Sequence, residues 1–223
     1  MPAKNSSKQY LENGYYHIYN RGVEKRIIFP DEQDYGVFLS YLKEYLLPKN
    51  ELELQKKLAN PDVSYFEKDK IAKLLRMNNF SGEISLLAYC LMPNHFHFLI
   101  KQQGANSIDN FMNSLATRYV VYFNRKNKRV GPLFQGVYKA VLISTNEQFL
   151  YLSRYIHQQA INTQNRAQPS SYLDYLGKRK TTWLNTEEIL SFFSRNHLPS
   201  SYESFVKERD NELIKNFLIE NED

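Results

Sequence analysis

The chain has 223 residues, 42% of them hydrophobic and 14% aromatic, with a net charge of +5 and an isoelectric point near 9.0. That suffices for one domain with an appendage or for two small ones, and the mild basic bias suits a polyanionic partner without requiring one. A single cysteine, Cys90, excludes an internal disulfide framework and a cysteine-rich zinc site.

Residues 1–9 lack the apolar core of a signal peptide and no run reaches membrane-spanning length, so a soluble intracellular protein without membrane contact is expected. Tyr15 to Asn20 read as a first strand, closed by Arg21 and Gly22. Asp31 caps a helix carrying Tyr35, Phe38, Leu39, Leu42 and Leu46 at helical spacing, which ends near Pro48. Residues 49–80 are rich in Lys, Glu, Gln and Asn, with helical stretches around Leu52–Leu58 and Tyr65–Leu75, and read as an exposed insertion. A hairpin follows, from Glu83 to Leu91, through a turn at Met92, Pro93 and Asn94, and back along His95 to Lys101. Ser107 opens a second helix with Ile108, Phe111, Met112, Leu115, Tyr119 and Phe123 on one stripe. A basic turn holding Arg125, Lys126, Lys128 and Arg129 ends it. Phe134 to Ile143 resumes β-character, and Asn146 caps a third helix through about Asn162.

The order strand, helix, hairpin, helix, strand, helix predicts an α+β fold, a ferredoxin-like (RNA-recognition-like) antiparallel sheet with helices on one face. Beyond residue 165 the texture changes to a C-terminal helical extension, ending in a charged helix from Tyr202 to about Glu220. The expected division is a catalytic domain over 1–165, containing the 49–80 insertion, and an extension over 166–223.

The run Asn94, His95, Phe96, His97 carries most of the chemistry. Strand side chains alternate faces, so His95 and His97 point one way and Phe96 and Phe98 the other. Two imidazoles on one strand face are either a pair of metal ligands or two satisfied histidines, and spacing alone does not choose. The third helix offers completion, since Tyr151, Tyr155 and Gln159 stand four residues apart and share a face. A glutamine amide oxygen as third ligand, with a phenol one turn away, is a kit for phosphodiester cleavage. Tyr151 is the rival nucleophile. His157 falls on another helical face, as a structural group or a DNA contact, and His17 reads as a satisfied sheet histidine. Arg21 and Lys25 form one candidate phosphate-contacting patch and the basic turn a second, each with a solvated loop as the bland alternative.

Pro93-Asn94-His95-Phe96-His97 together with Arg154-Tyr155-Ile156-His157 resembles the single-tyrosine HUH transposases, and within them the REP-associated tyrosine transposases. Tyr16-His17-Ile18 before Asn20-Arg21-Gly22, and Gly131 to Gly136 with Tyr138-Lys139, extend the resemblance to roughly residues 15–165. It implies that His95 and His97 bind a divalent cation, magnesium or manganese, that Tyr155 is the nucleophile, and that Gln159 is the helix-borne third ligand. Many REP-associated members read Tyr-Ile-His-Leu-Asn-Pro where this chain reads Tyr155-Ile-His-Gln-Gln-Ala160; Gln159 keeps the amide, and the proline is lost.

The expected function is metal-dependent nicking and strand transfer on single-stranded or hairpin DNA through a 5′-phosphotyrosine, in a bacterial cytoplasm and at its nucleoid. A catalytically silent nucleic-acid-binding module of the same fold is the alternative, and a metal phosphoesterase using activated water a third reading. A site within one chain and one shared across a homodimer both stay open.

Overall fold

The computed structural model describes residues 8, 10–161, 168–195 and 201–208. Four strands, β1 (Tyr15–Arg21), β2 (Ile84–Met92), β3 (His95–Gln102) and β4 (Lys139–Ile143), form one sheet in the order β2-β3-β1-β4. Every neighbouring pair is antiparallel. With α1 (Glu32–Leu46) leading from β1 to β2 and α4 (Ser107–Lys126) from β3 to β4, this is the expected ferredoxin-like sheet of two interleaved strand–helix–strand units.

The sheet sorts its residues by parity. Tyr16 and Ile18 on β1, and Phe96, Phe98 and Ile100 on β3, join one core with Phe38 and Leu42 of α1 and Phe111, Leu115 and Tyr119 of α4. Asp31 caps α1 in a reciprocal box with Asp34. The opposite face carries His17, His97, Leu99 and Val141, and it is not bare. It is covered by α5 (Asn146–Ile161), whose Leu152, Tyr155 and Ile156 share a second core with Leu87, Ala88, Cys90 and Leu99. A register shift between Leu86 and Ala88 lets β2 serve both cores, because one extra residue flips the alternation.

The insertion forms α2 (Glu51–Ala59) and α3 (Tyr65–Arg76), packed on each other, with Ile71 the buried residue of α3. The extension packs onto the histidine-bearing face through α6 (Tyr172–Tyr175), α7 (Glu187–Arg195) and α8 (Tyr202–Lys207). Just before α6 the chain runs along the outer edge of β2: Leu91 N–H donates to Pro169 O at 2.9 Å and Ser171 N–H to Tyr89 O at 3.0 Å. An otherwise open strand edge is thereby paired. The part of the expected last helix beyond residue 208 lies outside the described residues. Among the described residues no helix is long and apolar enough to cross a membrane.

Candidate active site

The β2–β3 hairpin is held from outside by main chain. After β1 the backbone turns sharply, with Glu24 and Lys25 both left-handed at φ 56° and 57°, and comes back beside the hairpin turn. Gly22 N–H donates to Asn94 O at 2.8 Å, and the amides of Ile28 and Phe29 donate to Pro93 O at 2.8 and 3.0 Å. Gly22 is required here by space, since a Cβ would stand 2.2 Å from the Arg26 carbonyl oxygen. These bonds anchor the residues that directly precede His95.

His95 and His97 project from the same face, with ring centroids 5.0 Å apart and planes at 84°. His95 Nδ1 lies 2.6 Å from Asn94 Oδ1, which turns its Nε2 to the far side of the ring. His97 is 2% exposed; its Nδ1 lies 2.9 Å from Nε2 of His17, and its own Nε2 is buried with no hydrogen-bond partner among the described residues. Burial, reinforced by the neighbouring His17, His95 and Arg21, holds the His97 imidazolium well below the usual histidine range, so the ring is neutral. A buried ring nitrogen without a partner is costly, and a neutral imidazole nitrogen is a metal ligand. The pair therefore fits a cation. Among the described residues no group of three or more His, Cys, Asp and Glu side chains is arranged to hold a metal ion.

The helix α5 brings Tyr155 to the pair. Its ring meets His97 edge-on at a centroid distance of 5.4 Å and His17 at 6.4 Å, and it is 2% exposed. Tyr151, one turn earlier, is also buried, and the Arg154 guanidinium lies over its ring at 5.3 Å. Gln159 stands one turn beyond Tyr155, half-buried. His157 points away from the site. It is fully buried between the Tyr202 hydroxyl, 2.7 Å from Nδ1, and Ser171 Oγ, 2.7 Å from Nε2, and burial pushes it down to about 3. It is a structural group that ties α5 to the extension.

Residues 56–159 match the family model described as "Transposase IS200 like". The span opens in α2 and closes on Gln159, so it contains His95, His97, Tyr155 and Gln159. A solved structure described as "Structure of the REP associates tyrosine transposase bound to a REP hairpin" is similar at 9% identity and a TM-score of 0.47, over 80% of this chain and 95% of that one. No curated protein matches the chain.

The basic residues divide by surroundings. Arg21 lies before the matched segment, at the end of β1, on the histidine-bearing face and opposite His95 in register. Lys25 is exposed on the loop that holds the hairpin turn, its carbonyl accepting from Asn94 Nδ2 at 3.3 Å. Within the matched segment, Arg125 and Lys128 are exposed. Lys126 instead bridges Asp31 and Asp34, each at 2.7 Å, and Arg129 donates to Asn124 Oδ1 at 2.8 Å and to Pro132 O at 3.3 Å. Lys139, which sequence reading named only within the Tyr138-Lys139 motif and not among the candidate phosphate contacts, lies opposite Tyr19 in register on the histidine-bearing face. Its signal was present in the strand alternation of β4.

Proposed function

We propose that the chain nicks and rejoins single-stranded or hairpin-flanked DNA through a covalent link between Tyr155 and a 5′ phosphate. The observation that carries this reading is the edge-on contact of the Tyr155 ring with His97 inside a single chain, at 5.4 Å between centroids. His95, His97 and Gln159 would hold a magnesium or manganese ion, whose role when bound is to stabilise charge on the scissile phosphate. Tyr155 Oη attacks phosphorus, a bond from Oη to phosphorus forms, and the bond from phosphorus to the 3′ oxygen breaks. The phenol loses its proton and the departing 3′ oxygen gains one. Strand transfer is the reverse, with another 3′ hydroxyl attacking the phosphotyrosine.

Arg21, opposite His95 in register, would pair with a phosphate drawn toward His95, and Lys25 would contact the strand as it leaves. Because Tyr155 and His97 are each 2% exposed while His95 is half-exposed, the strand enters at the His95 rim. The test is a labelled hairpin DNA incubated with the protein and manganese. A protein–DNA adduct surviving denaturing electrophoresis is expected, present in Tyr151→Phe and absent in Tyr155→Phe. An adduct that persists in Tyr155→Phe and disappears in Tyr151→Phe would overturn the assignment.

A further inference from the structure

We infer that His17 is a positioning residue that fixes the tautomer of His97 and so presents the His97 Nε2 lone pair to a cation. This rests on the metal-binding reading of His95 and His97 given above. His17 is fully buried on β1, where its pairing partner on β3 is Leu99, and it reaches diagonally so that its Nε2 lies 2.9 Å from His97 Nδ1. The two rings meet nitrogen to nitrogen, 5.1 Å between centroids and 23° between planes, and Tyr19 stacks on His17 at 4.7 Å and stands 5.9 Å from His97. Neither ring has freedom to turn the contact away.

When both imidazoles are neutral, their shared hydrogen bond holds one proton between the facing nitrogens. If His17 donates, His97 must carry its other proton on Nε2, and that N–H is buried with no acceptor among the described residues. When His97 donates from Nδ1, its Nε2 is a lone pair that a cation satisfies. Free histidine side chains favour the opposite tautomer, so the acceptor on His17 does work that the His97 ring does not do alone. A ligating histidine commonly has its second nitrogen oriented by a carboxylate or carbonyl. Here a second imidazole takes that place.

The test needs no variant at first. Two-bond proton–nitrogen correlations on the nitrogen-15-labelled, metal-free chain should show His97 protonated on Nδ1 with Nε2 as a bare ring nitrogen; His97 protonated on Nε2 would overturn the inference. In a second arm manganese binding is read by electron paramagnetic resonance without DNA. His17→Phe, which cannot accept a proton, is expected to lose about 10- to 100-fold in affinity. His17→Gln, whose amide oxygen can accept, should retain more of it than His17→Phe does. Manganese affinity unchanged in a folded His17→Phe would overturn the inference. If the unaltered chain binds manganese no better than a His95→Ala, His97→Ala double variant, the metal reading fails instead, and the nitrogen tautomer still decides the role of His17.

Discussion

His157 Nδ1 lies 2.7 Å from the Tyr202 hydroxyl, so the helix that carries Tyr155 is tied to the extension two residues past the phenol. The same ring meets Ser171 Oγ at 2.7 Å, and Ser171 receives the Tyr89 N–H at 2.9 Å. One imidazole thus joins α5, the edge of β2 and α8. Tyr202→Phe removes the hydroxyl and leaves a buried nitrogen unpaired, which should cost about 1–3 kcal/mol, read as a lower urea midpoint with an unchanged slope.

The same histidine sets a pH dependence. Its folded value of about 3 lies below the ordinary 6.5, so between those values the unfolded chain holds a proton that the folded chain does not. Its contribution is fully present above pH 6.5 and is lost as the pH falls toward 3, at up to about 1.4 kcal/mol per pH unit. His97 acts in the same direction. Stability measured at pH 7 and pH 5 should differ by about 2 kcal/mol less in His157→Gln than in the unaltered chain. An equal fall in both would remove His157 from the explanation.

Gly22→Ala tests the hold on the hairpin turn. Its Cβ would meet the Arg26 carbonyl oxygen at 2.2 Å and Ile28 Cγ2 at 2.9 Å, and the first of these is backbone that cannot swing aside. The loop from 22 to 29 must shift, at about 1–3 kcal/mol, and Pro93 and Asn94 lose their donors. Reduced manganese affinity alongside the lower melting temperature is expected.

Gln159→Ala should lower manganese affinity by about tenfold or more, whereas Tyr155→Phe should leave it unchanged and remove only the DNA adduct. Titration by electron paramagnetic resonance separates the two. A Gln159→Ala protein that binds manganese normally would exclude the amide as ligand.

Among the cations, Arg21 and Lys126 should part company. Arg21→Gln should weaken hairpin binding and lower the slope of log affinity against log salt by about 1. Lys126→Met should leave that slope in place and lower thermal stability, because it strands the buried carboxylate of Asp34. Equal salt slopes in the two variants would contradict this division.

How much was legible depends on the range of the interaction. Strand alternation was enough to put His95 and His97 together and Phe96 and Phe98 behind them, and the four-residue step was enough to put Tyr151, Tyr155 and Gln159 along one side of α5. Both are properties of a few consecutive residues. The partnership of His17 with His97 was not legible, because it depends on which residue of β1 faces which residue of β3, across 80 positions of chain. The task of His157 was hidden for the same reason, since its partners lie 14 and 45 residues away. The covering of the histidine-bearing face followed from neither pattern; it appears once α5 and the extension are seen to bury Cys90, Leu99 and Ile189 together.

The grip on Pro93 and Asn94 uses the amides of Gly22, Ile28 and Phe29 and the carbonyl of Lys25, and no side chain of the intervening loop. Val23, Glu24, Lys25 and Arg26 can therefore be exchanged without moving the histidines, provided the backbone keeps its course. On the proposed function, specificity for the nucleic acid is free to drift on that loop while the histidine pair stays still. A library randomised at those four positions should change the proposed DNA binding and leave manganese affinity unaltered.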